Sequence, residues 1–102
     1  MRVAIALHKE KEAVYPGPFG HAPRFAIYEL GEEARLLEIR PNPYAALEGG
    51  DKPEKMRALL QDVDLRVGAR FGHHAHPGGF RRLEVGAVSL EEALAQLRAS
   101  LG

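Results

Sequence analysis

The residues best equipped for chemistry fall in one stretch, Arg70-Phe71-Gly72-His73-His74-Ala75-His76-Pro77-Gly78-Gly79, which holds three of the five histidines within four positions. Neutral imidazoles suit zinc, copper, nickel and iron. His73 with His76, or His74 with His76, could chelate one ion together with a histidine from another loop, His21 or the weaker candidate His8. The alternative is that these are exposed loop residues or backbone caps, since short histidine tracts are compositional evidence only. His21, inside Phe19-Gly20-His21-Ala22-Pro23, is as well suited to bracing a long loop as to binding. From Arg66 to Arg82 there are four arginines (Arg66, Arg70, Arg81, Arg82) and no acidic residue. With backbone amides supplied at Gly72, Gly78 and Gly79, this is a candidate anion nest. Arg70, Gly72 and His21 are its cofactor-binding candidates; a solvated basic rim is the alternative.

Other chemistries are poorly served. The chain has no cysteine, which removes disulfides, thiolate zinc sites, thiolate-held iron–sulfur clusters and thiol nucleophiles. Two-metal phosphoryl transfer needs clustered carboxylates, and the first apolar run and the 66–82 stretch carry none. Gly72 and Gly78-Gly79 do not make a phosphate-loop signature. Ser89 and Ser100 sit in or near a helix, away from any nucleophile elbow. Fourteen basic residues balance fourteen acidic ones, so no global field draws the protein to nucleic acid or an anionic membrane. Arg2-Val3-Ala4-Ile5-Ala6-Leu7 is too short an apolar run for a signal peptide or a membrane span, and the expected location is the cytoplasm.

These residues need a frame, and 102 residues suffice for one domain with a modest core. Val3 to Leu7 reads as a strand buried on both faces. A long irregular segment, roughly 8–23, follows, with Tyr15 and Phe19 available to pin it to a sheet. Arg24 to Leu30 alternates, with Phe25 and Ile27 on one face and Ala26, Tyr28 and Leu30 on the other. Gly31-Glu32-Glu33 turns it into Ala34 to Arg40, with Leu37 and Ile39 on one side, and the pair is an antiparallel hairpin. Asp51 and Glu54 spell a capping box with Pro53 in the first turn, and Met56, Leu59, Leu60 and Val63 form the apolar stripe of that helix. Leu65 to Ala69 is a fourth strand, Phe80-Arg81-Arg82 a short helical turn, and Leu83 to Val88 a fifth strand. Ser89 with Glu92 caps a final amphipathic helix through Leu101 that stops at Gly102. The helix after the third strand makes a crossover that lays the fourth strand parallel to the first. The expected product is an α/β domain with a mixed five-stranded sheet in the order 3-2-1-4-5. His8, His21, His73, His74 and His76 would then gather at one sheet edge, where ligands of open α/β sheets bind.

The block Phe19-Gly20-His21-Ala22-Pro23-Arg24-Phe25, the opening Arg2-Val3-Ala4-Ile5-Ala6, Asp62-Val63-Asp64 and the closing Ser89-Leu90-Glu91-Glu92-Ala93-Leu94 occur in an order that resembles the dinitrogenase iron–molybdenum cofactor biosynthesis family. The resemblance covers nearly the whole chain, and Phe-Gly-His-Ala-Pro-x-Phe is its most specific part. It implies a ribonuclease H-like fold, and a role in binding or carrying iron–sulfur or iron–molybdenum cluster precursors. Where the family opens a full helix after the fourth strand, this chain has His73-His74-Ala75-His76-Pro77-Gly78-Gly79. A shortened helix or a loop is expected there.

Three function classes follow. The first is a non-catalytic cytoplasmic carrier or sensor of a transition metal or anionic metal cluster, with His21, His73, His74 and His76 as ligands and Arg70 as charge partner. The second is a docking module of the same fold that contacts a protein partner without metal. The third is a small enzyme with a histidine general base, for which no partner group is visible. The oligomeric state is not legible.

Overall fold

The structure, a computed structural model, describes residues 1–72 and 81–101. Its elements are β1 (Arg2–Leu7), a single 3-10 turn (Phe19–His21), β2 (Arg24–Leu30), β3 (Ala34–Pro41), α1 (Lys52–Leu59), β4 (Leu65–Gly68), β5 (Arg81–Glu84) and α2 (Leu90–Leu101). The five strands form one sheet in the order β3-β2-β1-β4-β5. β1 runs antiparallel to β2 and parallel to β4, and β4 is parallel to β5. The mixed α/β sheet and its strand order are those the sequence patterning implies.

β1 has hydrogen-bonded neighbours on both sides and no polar side chain from Val3 to Leu7, so it can lie at the centre of the core. Its alternation divides that core. Val3, Ile5 and Leu7 join Ala26, Tyr28, Leu65 and Val67 beneath Ala93 and Leu97 of α2. Ala4 and Ala6 face the other way, where their small size leaves room for Phe19, Phe25 and Ile27 beside Met56 and Leu60. The faces of β2 are as its alternation implies, but β3 departs from it: the ladder shifts between Ile27 and Tyr28, so Leu37 is an extra residue and Leu36, rather than Leu37, shares the face of Ile39.

Three local expectations are corrected. Asp51 precedes α1 but its side chain makes no capping bond, because its own backbone is already helical (φ −82°, ψ −15°) rather than extended as a capping residue requires. Backbone carbonyls open the helix instead, Gly49 accepting from Lys52 N and Asp51 from Lys55 N. The apolar stripe outlasts the helix: α1 ends at Leu59, and Val63 reaches the core from a further turn in which its amide bonds to the Leu60 carbonyl. Arg81 and Arg82 are not in a helical turn. They are β5 itself, paired with Leu65 and Arg66, and the strand ends at Glu84 rather than Val88. Gly86, at φ +80°, redirects the chain beyond it. The Ser89 cap holds: its Oγ accepts from Glu92 N at 3.0 Å.

The 8–23 segment is built into the fold. Val14 bridges Leu7, Ala13 bridges Ser89, and Val14 and Phe19 are buried. Among the described residues no helix is long and apolar enough to cross a membrane.

Candidate functional site

The carboxyl ends of β1 and β4 and the start of β2 lie at one end of the sheet, because Leu7 pairs with Arg24. His8 and His21 are therefore brought to that end as expected, but their rings are engaged separately. His8 Nδ1 accepts from the amides of Glu10 (3.1 Å) and Lys11 (3.3 Å), capping the turn that leaves β1. Its carbonyl accepts from Arg24 Nε at 3.0 Å, which fastens the turn to the neighbouring strand. This is the structural use of a loop histidine.

His21 is placed by a buried amide that sequence reasoning missed. Asn42 donates from Nδ2 to the carbonyls of Gly20 (3.1 Å) and Ala22 (2.9 Å), and its Oδ1 accepts from Tyr44 N at 3.0 Å. One side chain thus clamps the 3-10 turn to the segment after β3. Across this clamp His21 Nδ1 lies 2.8 Å from the Ala45 carbonyl. A carbonyl can only accept, so a hydrogen bond here requires the tautomer with its proton on Nδ1, which in the neutral ring leaves the lone pair on Nε2. A metal-binding histidine has this arrangement, its other nitrogen donating to a carbonyl that fixes the ring. Lys52 Nζ stands 3.2 Å from His21 Nδ1 and 3.5 Å from the same carbonyl. Burial pulls the Lys52 ammonium below its ordinary range, with Glu48 opposing.

On the other side of the same turn, Phe19 lies against β4. A Cβ on Gly68 would stand 3.0 Å from Phe19 Cδ1, so glycine is what lets the ring approach the strand. This close-contact glycine is Gly68, two residues after Arg66 on the same face. At Gly72, a sequence candidate, an added Cβ would meet nothing within 4 Å among the described residues. Phe19 stacks on Phe71 with centroids 5.0 Å apart and meets Phe25 at 4.9 Å. The Arg66 guanidinium lies 5.8 Å from the Phe19 centroid, and that of Arg82 5.7 Å from Phe71. Arg66 and Arg82 are direct neighbours in the β4–β5 ladder. Burial first, and the nearby Arg57 of α1 second, pull Arg66 down to about 10. It still carries its charge at neutral pH. Two guanidinium groups laid on aromatic faces, with a third close by, gather three arginines at this corner.

Arg70 is exposed, and its backbone carbonyl accepts from Phe19 N at 2.9 Å, so the residue is anchored beside the turn. His73, His74 and His76, with Gly78 and Gly79, lie outside the described residues. Among the described residues no group of three or more His, Asp or Glu is arranged to hold a metal. Arg57 and Phe71 were not singled out from sequence. Arg66 belonged to the arginine run, but its aromatic seat could be anticipated only from strand alternation, which sets Arg66 and Gly68 on the face opposite Leu65 and Val67.

A profile of the family described as dinitrogenase iron-molybdenum cofactor matches residues 1–100. The NMR structure of a Thermotoga protein, described as a candidate NifB protein of the DUF35 family, superposes with a TM-score of 0.72 at 22% identity. The match covers 96% of this chain and 87% of that one. At that identity the likeness shows a shared fold. No curated protein matches the sequence.

Proposed function

Because the chain belongs to the dinitrogenase iron-molybdenum cofactor family, we propose that it is a non-catalytic binding protein for a metal or an anionic metal cofactor of the iron–sulfur or iron–molybdenum type, acting as carrier or sensor. The observation that carries the reading is the division of labour about the Phe19–His21 turn. One side presents His21, its Nδ1 turned to the Ala45 carbonyl and Nε2 the candidate ligand atom, and the other presents Arg66 and Arg82 seated on Phe19 and Phe71. The donor set fits such a cargo: nitrogen supplies the ligand and guanidinium compensates anionic charge. His73, His74 and His76 join as further ligands and Arg70 as a charge partner, with His8 the weakest candidate. We read the fold as ribonuclease H-like on its strand order, and the protein as cytoplasmic on its sequence.

The test uses untagged protein offered zinc, copper, nickel and iron separately, and tetrathiomolybdate as an anionic metal–sulfide probe. Retained metal is read by plasma mass spectrometry. Near-stoichiometric retention is expected for one of the five. For a cation, His73→Ala/His74→Ala abolishes retention and His21→Ala weakens it. For the anion, Arg66→Gln weakens binding by roughly tenfold or more, the scale of one lost charge-assisted contact. Retention that is absent throughout, or indifferent to all three variants, overturns the proposal.

A further inference from the structure

The two edges of the sheet are finished differently. β5 is four residues long and carries Arg81, Arg82 and Glu84, the short and charged edge that discourages further pairing. β3 is eight residues long, with no proline before its last position. Leu36, Leu37 and Ile39 are 48%, 38% and 41% exposed. Exposed apolar side chains of that size along an eight-residue edge form a surface that another strand can cover, even though the strand also carries Arg35, Glu38, Arg40 and a bulge.

The ladder with β2 assigns the faces of β3. Ala34, Leu36 and Ile39 stand opposite Leu30, Tyr28 and Ala26, on the α2 side. Arg35, Glu38 and Arg40 stand opposite Glu29, Ile27 and Phe25, on the α1 side. Leu37 is the inserted residue between them. In an uninterrupted strand, Arg35 and Glu38 would point to opposite faces and could not meet across a two-fold axis normal to the sheet. The inserted residue restores them to one face. Antiparallel pairing of β3 with another β3 can therefore set each Arg35 against the other copy's Glu38. Leu36 then lies against Leu37, and Ala34 against Ile39. Among the described residues Arg35 forms no ion pair, whereas Glu38 accepts from Arg40 at 3.0 and 3.2 Å and would share its carboxylate with the second copy's Arg35.

We propose that β3 is a homodimer edge, pairing antiparallel with β3 of a second copy in the Arg35–Glu38 register to give one continuous ten-stranded sheet. The occupant is a second copy because the strand is self-complementary in charge and in apolar area about that one register, as a two-fold interface requires. The proposal stands independently of cofactor binding.

Sedimentation velocity of untagged protein over a concentration series tests it, with circular dichroism and urea unfolding to confirm that each variant is folded. The wild type is expected to dimerise reversibly. Arg35→Glu or Glu38→Arg alone sets like charges opposite each other twice per interface and raises the dissociation constant by about tenfold or more. Arg35→Glu/Glu38→Arg together recreates the pairs in reverse and restores dimerisation. Leu36→Lys abolishes it. A wild type monomeric at every concentration overturns the proposal and leaves the edge to a different partner. A dimer indifferent to Leu36→Lys or to the single reversals, or a double reversal without rescue, overturns it as well.

Discussion

Arg40 and Arg66 both project from the α1 side of the same sheet, yet their settings are opposed. Arg40 is enclosed by acceptors: Glu38, both oxygens of Asp62 at 2.9 and 3.0 Å, and the Leu59 carbonyl at 2.9 Å. Asp62 is shared with Arg2, which also reaches Glu29. Arg66 lies over a phenylalanine, with Arg57 close by. The protonation equilibria move accordingly. Arg40 is pushed above its ordinary range by Asp62 and Glu38, Asp62 is held down at about 2 by Arg40, and Arg66 is drawn down to about 10. One flank uses arginine to tie β1, β3 and the segment after α1 together, with its charge cancelled. The other mounts arginine on hydrocarbon, with the face of Phe19 beneath its guanidinium.

The comparison can be broken most severely at Phe19. Phe19→Ala removes the surface on which Phe25, Phe71 and Arg66 pack, and is expected to cost about 3–5 kcal/mol in urea unfolding. A loss below about 1 kcal/mol would show that the ring is no keystone. Arg40→Ala comes next, at roughly 1–2 kcal/mol once the partial exposure of its partners is discounted. Arg66→Gln should lose about 1 kcal/mol, between the exposed and the desolvated limits of a cation–π contact. Equal losses at the two arginines would erase the distinction drawn between the flanks. The smallest effect is in acid. Asp62 has its folded pKa depressed, so its contribution is complete above the ordinary carboxylate range near pH 4 and vanishes as pH falls through about 2. Asp62→Asn should flatten the difference between urea midpoints at pH 5 and pH 2.5 by less than about 1 kcal/mol equivalent, while Arg66→Gln should leave that difference unchanged.

Where a single strong pattern governed the backbone, it could be read from sequence. The apolar run of β1, the alternation of β2 with its short turn, and Ser89 before α2 are such patterns, whereas the bulge at Leu37 in β3 leaves no mark in the sequence. β5 was misassigned because Arg81-Arg82 carries no strand pattern: its conformation comes from lying beside β4. The Asp51 cap failed because the glycine turn before it had already started the helix. The site was half legible. The acid-free arginine run contains Arg66 and Arg82, which the fold seats on Phe19 and Phe71, and Phe-Gly-His-Ala-Pro is the turn beside them. The partners of the site residues come from elsewhere in the chain: the Ala45 carbonyl, Asn42, Gly68 and Arg57 are fixed by folding rather than by spacing. His8 shows the reverse, a residue suited to ligation that two local amides occupy.

Val3 lies beside Leu65, so β1 and β4 meet only after a long stretch of chain has closed; Arg2 and Asp64, bonded at the foot of the pair, are 62 residues apart. β2 and β3 meet across a tight turn. Hairpins form in about 1–10 μs, whereas distant pairings carry the entropy of loop closure and come later. Folding therefore has a built-in chronology, in which the hairpin precedes the corner that holds Arg66 and Phe19. Stopped-flow measurements should register it: Val67→Ala mainly accelerates unfolding, Ile27→Val mainly slows folding, and the opposite partition would reverse the order. Until that last closure a nascent chain has its hairpin but not the seat of Arg66 on Phe19.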